Sequence, residues 1–386
     1  MAMSDRRALV IGAGIGGLTA AIALRQAGYE VSVFEQAPEL RQIQVGTGLH
    51  VWPNAMKAFR QLGLEDAVHE AGMEVRRVHF RRSNGSQIAD LPVDEVGVRI
   101  GAPSVGIRRM HLHRVLVDAF GESSLELSSA CTGFHQDSRG VTIQLADGRE
   151  ERGDLLVGAD GLRSKVREQL LGFEEPLYHG YTSWLGLVES RHDQVKPDIL
   201  TVVWGRGARF IYYHLEPDRI GWIGNADAVE GQQLAPAERR AQALEAFRGW
   251  MEPVEALIEA TNDNLLFLMD LYDRDPVSRW GEGRVTLLGD AAHPMTPNIA
   301  QGACQAIEDS VVLMKALAGG SDVPAALRSY EQQRMARTAP IVKRARFFGS
   351  MGQWRNPLLC GIRDGFMQVA QRKIAKQEEK LFGYEV

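Results

Sequence analysis

Cysteine is scarce in this sequence: Cys131, Cys304 and Cys360 are the only three, an odd number set far apart. That excludes a disulfide framework and a cysteine-based zinc site, and fits free thiols in a reducing compartment. No metal site is expected. Long hydrophobic runs are also missing, so no helix should span a bilayer. The first seven residues lead straight into Ala8-Leu9-Val10-Ile11 without the apolar stretch and cleavage site of a secretory signal, which makes the cytoplasm the expected location. Positive charge is not in excess either. Lys and Arg number 44 against 49 Asp and Glu, for a net charge of -5, and they form no basic block. Neither nucleic acid nor a membrane is therefore an expected partner. A Walker phosphate loop, an HExxH zinc helix and a GxSxG elbow are all absent, as are internal repeats and low-complexity segments.

What is present is the composition of a globular protein, 45% hydrophobic and 24% charged. At 386 residues the chain suggests two interleaved domains sharing a large core. The opening reads as a buried strand over 8–11, a glycine turn, a helix over about 16–27, and a second strand over 30–34 that ends at Glu35. Segments 76–87 and 178–227 are β-rich, the second holding Trp184, Trp204, Phe210, Tyr212, Tyr213 and Trp222; together they suggest one antiparallel sheet built from two insertions. Between them, 125–158 alternates apolar and polar residues around an Asp147-Gly148 turn, predicting a β-meander that leads to a buried strand over 155–157. Helices are predicted over 237–249, 302–317 and 327–346, with a strand over 285–288. The tail over 356–380 reads as an amphipathic helix. The charge run from Tyr330 to Arg337 reads as a solvated face.

Chemistry begins at Gly12-Ala13-Gly14-Ile15-Gly16-Gly17, which follows a strand and opens a helix. Gly12, Gly14 and Gly17 fall at the GxGxxG positions. They serve in turn a tight turn, close approach to a pyrophosphate, and packing of helix on strand. The helix N-terminus adds free N–H groups and partial positive charge. Glu35 stands where a carboxylate accepts hydrogen bonds from ribose hydroxyls and repels a 2′-phosphate. This fingerprint alone does not separate FAD from NAD. Two later segments bear on the choice: Leu155-Leu156-Val157-Gly158-Ala159-Asp160-Gly161 and Val285-Thr286-Leu287-Leu288-Gly289-Asp290 each place an Asp beside a Gly directly after a buried strand.

With these three motifs in this order, the chain resembles the single-component aromatic hydroxylases of the p-hydroxybenzoate and salicylate hydroxylase group, over nearly its whole length. The resemblance implies an α/β fold: a Rossmann-like FAD-binding domain (1–72, 105–172 and 276–345), an inserted β-sheet substrate domain (73–104 and 173–275) and a C-terminal helical tail (346–386). It also implies non-covalent FAD, with NAD(P)H as a transient reductant, since no second dinucleotide fingerprint is visible. Reduced flavin would capture O₂ as a C4a-hydroperoxide and pass one oxygen to a phenolic or N-heteroaromatic ring, in a monomer or homodimer. By resemblance, Asp290 with Gly289 serves the ribityl chain. Asp160 serves the pyrophosphate side and use of the nicotinamide donor, Arg109 lies near the flavin chain, and Arg41 matches an earlier family arginine. Pro297, Asn298, Gln301 and Gly302 belong to a loop set against the isoalloxazine ring. Two departures stand out. The segment from Arg41 to Leu49 is about two residues longer than the usual form, and Ala300 stands where the family often has glycine, so a positive φ there would strain it.

The strand around Trp204 to Tyr213 resembles the one that faces the flavin from the substrate domain, and alternation puts Arg209, Ile211 and Tyr213 on one face. Arg209 and Tyr213 are the candidate catalytic residues, Arg209 to hold an anion and Tyr213 to deprotonate or orient a hydroxyl. The plainer reading is a surface salt bridge for Arg209 and core packing for Tyr213. His214 and His293 read as structural histidines, and Tyr181 and Trp184 as core or pocket wall. Alternatives of other classes stay open: an epoxidase or hydroxylase of a larger natural-product scaffold, a non-oxygenating flavoprotein, and a pure NAD-binding regulator.

Overall fold

The computed structural model describes residues 6–44, 46–318, 320 and 322–386. The first five residues, where a signal peptide was sought, and Val45 of the lengthened segment lie outside the described residues. The first strand, Arg7–Ile11, is apolar and buried from Ala8 onward, as a parallel strand covered on both faces requires. It pairs in parallel with Glu30–Phe34 on one side and Leu155–Gly158 on the other, and Leu155–Gly158 pairs in parallel with Val285–Leu287. The short strands Leu125–Glu126 and Gly281–Glu282 complete a six-stranded sheet. In this register Ile11 stands beside Gly158, and Gly158 beside Leu287. All three motif loops therefore leave the sheet side by side at its carboxyl edge, where open α/β sheets bind ligands.

The helix Ile15–Gln26 is buried along most of its length because the helix Gly302–Ala318 packs on its other side. The predicted meander forms as Cys131–Gln136, Val141–Leu145 and Glu150–Gly153. A small sheet of Gly48–Val51, Val105–Arg108 and Met73–Glu74 links the first body to a larger one. That larger body is a seven-stranded sheet in the order Leu266–Asp273, Leu177–Val188, Arg219–Asp227, Ala208–Glu216, Ile199–Trp204, Arg77–Arg82, Gln87–Pro92. The two β-rich segments do join in one sheet. It is not wholly antiparallel, because the seam between the segments, Ile199–Trp204 with Arg77–Arg82, is parallel.

One face of this sheet buries Trp184, Phe210, Tyr212 and Trp222 against Phe247, Val254 and Leu257 of the helical segment that follows. Burying an aromatic or branched side chain contributes about 1.5–3 kcal/mol each, so this layer fixes which face is left for the site. Helices Val323–Gly352 and Pro357–Phe382 close the molecule. The charge run from Tyr330 to Arg337 is not a solvated face. Tyr330, Glu331 and Arg334 are buried, and Arg334 pairs with Glu308 and Asp309 of the neighbouring helix, a partnership that the local sequence does not reveal. No described helix is long and apolar enough to cross a membrane.

Candidate functional site

At the carboxyl edge of the six-stranded sheet each fingerprint glycine has a distinct surround. Gly12 has a φ of +99°, and a Cβ there would lie 2.5 Å from the Ala159 carbonyl oxygen. At Gly17 a Cβ would lie 1.9 Å from the Gly12 oxygen, so only glycine lets the helix sit this close to the turn. At Gly14 a Cβ would meet nothing within 4 Å. The space above Gly14 is open, and no side chain of the described residues caps the helix that starts there. An open cradle over an uncapped helix N-terminus fits a diphosphate.

Glu35 is buried and already holds the turn. Its two carboxylate oxygens accept from the Ala13 and Ala37 N–H groups, each at 2.8 Å. One lone pair on each oxygen remains for a ribose. His113 Nε2 donates to the Ala13 carbonyl at 2.8 Å, and burial lowers its pKa, so the imidazole is neutral and steadies the loop. Sequence reading missed His113 because its partner lies 100 residues away.

Asp290 follows Val285–Leu287. Its carboxylate is solvent-accessible yet crowded by surrounding protein, and accepts no hydrogen bond from any described residue. Burial pushes its pKa up, while His293 and Arg109 pull it down less strongly. A group both crowded and accessible lines a cleft. Across from it Arg109 donates through Nε to the Ile43 carbonyl, and its terminal nitrogens have no partner among the described residues. Asp290 and Arg109 thus present free polar ends to one crevice, as a ligand with hydroxyl and phosphate groups requires.

Other expected ligands are engaged elsewhere. Asp160 accepts from Ser164 Oγ at 2.5 Å and from the Lys165 N–H at 2.7 Å, capping the helix Lys165–Leu171 together with Ser164. Arg41 is on the surface, 81% exposed, and pairs with Glu39. The Gln301 amide is fully buried: its oxygen accepts from Asn54 Nδ2 at 3.1 Å and from Gln305 Nε2 at 2.8 Å. Its side chain faces the protein interior, so only its backbone is left for a ring contact. Pro297 opens a one-turn helix, Pro297–Ile299, that ends at Ala300 with φ +51°, and Gly302 then starts the long helix.

On the second sheet, Arg209, Ile211 and Tyr213 do share the face that meets the first body. Arg209 is 3% exposed and has no carboxylate partner among the described residues. Its Nη2 donates to Asn225 Oδ1 at 3.0 Å and to Asn298 Oδ1, while its Nε is buried without a partner among the described residues. The surface salt bridge of the plainer reading is not found among the described residues. Burying an unpaired guanidinium costs several kcal/mol, and burial lowers its pKa, although arginine stays charged. Asn298 also donates to Tyr181 OH at 2.8 Å, tying the loop to the sheet.

Tyr213 is packed against Gly106 and sits edge-on to His50, with ring centroids 6.1 Å apart. Burial alone raises its phenol pKa, and that of His50 falls to about 3. Between these two closed rows lies a partly exposed apolar one, Leu185, Ile223 and Ile211, paired across three strands. Rows on one face of a sheet stand roughly 7 Å apart, so these three side chains form an apolar strip between the Arg209 and Tyr213 rows. His214 and His293 are structural: His214 bonds the Glu216 and Val195 carbonyls, and His293 bonds Asp309 at 2.6 Å. Trp184 is core.

A family model described as "FAD binding domain" matches residues 5–209 and 272–345. The chain is 42% identical to the aurachin C monooxygenase/isomerase of Stigmatella aurantiaca over 361 residues, 94% of this chain and 93% of that protein. It is 36% identical to the FAD-dependent urate hydroxylase of Klebsiella pneumoniae over 342 residues, 88% of each. The crystal structure of HpxO of Klebsiella pneumoniae complexed with FAD and uric acid superposes with a TM-score of 0.92 at 32% identity, covering 98% of this chain and 97% of that one.

Proposed function

Since the chain belongs to the FAD binding domain family and is an FAD-dependent monooxygenase, we propose that it hydroxylates a phenolic or nitrogen-heteroaromatic ring bearing a negative charge or acidic group. NAD(P)H is the proposed reductant and the cytoplasm the proposed location. The observation that carries the substrate class is Arg209, a buried cation without a carboxylate partner among the described residues, beside a partly exposed apolar row. An anionic ring supplies the counter-charge that the protein withholds. The name of the urate hydroxylase relative supports the same class.

Bound FAD supplies the redox chemistry, accepting reducing equivalents and activating O₂. Gly12, Gly14 and Gly17 with the helix N-terminus would hold its pyrophosphate and Glu35 its ribose. Asp290, beside Gly289, and Arg109 would hold the chain between, and Pro297 with the backbone of Gln301 and Gly302 would border the ring. Arg41 and the Asp160 carboxylate enter this reading only as neighbours, since each already has protein partners. In the same reading 1–72, 105–172 and 276–345 serve the cofactor, 73–104 with 173–275 serve the substrate, and 346–386 is the helical tail. Leu185, Ile211 and Ile223 exclude water from the substrate, and Arg209 orients it. Tyr213, with its raised pKa, acts as a neutral donor that orients a hydroxyl rather than as a base.

The test is Arg209→Met with a panel of anionic and neutral heteroaromatic rings. A charge-assisted hydrogen bond contributes about 1.5–3 kcal/mol, so KM for the anionic rings should rise roughly 10- to 100-fold. KM for the neutral rings should not move. Unchanged KM for every anionic ring would remove Arg209 from the site, and failure of label from ¹⁸O₂ to enter product would remove hydroxylation of the tested rings.

A further inference from the structure

The helix Pro357–Phe382 has two faces of different character. Its inner face is satisfied. Met367 and Ile374 are buried with Val78, Phe80 and Ile88 of the seven-stranded sheet, Asp364 pairs with Arg82, and the Arg363 guanidinium lies over the Trp204 ring. The outer face carries Leu358, Leu359, Ile362, Phe366 and Val369, between 43% and 89% exposed. Their spacing of three and four residues puts them in one stripe. Single exposed apolar residues are ordinary, but a contiguous stripe of this size marks an interaction surface.

Two glycines lie within that stripe. Gly361 and Gly365 stand one turn apart, and a Cβ at either would meet nothing within 4 Å. Neither is required by the fold of one chain, and glycine is the weakest helix former after proline. Glycines four apart on an apolar helix face serve a different purpose: they allow a second helix to approach closely. A lipid surface gains nothing from them.

The stripe is also self-complementary. An antiparallel two-fold centred near residue 364 sets Leu358 against Val369 and Ile362 against Phe366, as an isologous interface requires. The five side chains present on the order of 600 Å² per copy, so a symmetric pair would bury roughly 1,200 Å², the lower bound for specific interfaces. The geometry points to a second copy of this chain as the occupant: the protein is a homodimer in which the two Pro357–Phe382 helices cross antiparallel at Gly361 and Gly365.

The experiment is sedimentation velocity with light scattering on the FAD-loaded full chain across a concentration series. The expected species has twice the 42.7 kDa chain mass. Ile362→Glu, on a surface position, should weaken the dimer at least 100-fold and leave FAD content unchanged. Gly361→Leu and Gly365→Leu separate close crossing from general stickiness. Both add apolar area and helix propensity, yet both should weaken the dimer at least 10-fold, because the added side chains hold the helices apart. A wild-type monomer at tens of micromolar overturns the proposal, and so does a dimer that Ile362→Glu leaves intact. Tighter self-association of the leucine variants, or co-sedimentation of a monomeric wild type with anionic lipid vesicles, also overturns it.

Discussion

Ala300 sits at φ +51° and ψ +38°, where a Cβ crowds the backbone. An L-residue there costs about 1–2 kcal/mol, whereas glycine loses more entropy on folding, up to about 1 kcal/mol. The difference favours glycine slightly. Ala300→Gly should therefore stabilise the protein by about 0.5 kcal/mol, read as a small rise in denaturation midpoint at unchanged slope. A loss of stability would mean that the alanine methyl makes contacts worth more than its strain. The strain was legible as a conditional, since an alanine at a glycine position raises the question and only the backbone angle answers it. The role of Gln301 was not legible. Its partner Asn54 is 247 residues away, and no local pattern tells an amide facing a cleft from one facing another amide. Arg209 lay between. Alternation fixed its face, but only the packed sheet shows that it has no carboxylate partner among the described residues.

Helix Gly302–Ala318 carries two adjacent buried carboxylates, Glu308 and Asp309. Asp309 accepts from the Gly289 N–H at 3.0 Å and from His293 at 2.6 Å, while Arg334 Nε reaches its other oxygen at 2.6 Å. It therefore holds, from behind, the turn that presents Asp290. Burial would raise the pKa of Asp309, but His293 and Arg334 outweigh it and the net shift is down; Glu308 follows the same logic with Arg334 and Arg337. A depressed carboxylate stabilises the fold in full above its unfolded pKa and loses that contribution as pH falls through the folded one. Stability should thus begin to fall below the ordinary values of 4.5 for Glu308 and 3.8 for Asp309. Asp290, shifted upward, opposes this trend. Asp309→Asn leaves Arg334 half-paired in the interior, which should cost about 3–5 kcal/mol and flatten the acid limb of a melting-temperature profile. An unaltered limb would assign acid sensitivity to other carboxylates. The helix itself was legible from its apolar pattern. Its partner helix was misread as solvated, because a charge run looks the same whether it faces water or a buried acid pair.

At the scale of the whole molecule, the parallel core was legible from short buried apolar runs that end in glycine turns, and the second sheet from its two β-rich segments, though not its parallel seam. How the chain's last turn closes on its first sixty residues was not. Phe382 stacks on Trp52 with centroids 4.7 Å apart, and Trp52 Nε1 donates to the Ile299 carbonyl at 3.1 Å, in the loop proposed to border the flavin ring. Leu381 and Phe382 are buried with Met295, Ile341 and Val342, and Arg337 donates to the Leu381 carbonyl. The last turn is therefore a support for the 297–301 loop although it lies far from it in sequence. Truncation after Lys380 removes two buried apolar side chains and uncovers Trp52, a loss of about 5–10 kcal/mol by the usual cost of emptying such positions. The loop should loosen along with the core. FAD should then dissociate more readily, seen as recovery of flavin fluorescence at a lower temperature than in the full chain. Phe382→Leu refines the test, because it keeps most of the apolar volume and loses the ring stacked on Trp52. It should cost about 1–2 kcal/mol and lower the flavin-release temperature by less than truncation does. Equal release temperatures for the truncated and full chains would show that the 297–301 loop is held by Asn298 and the sheet alone.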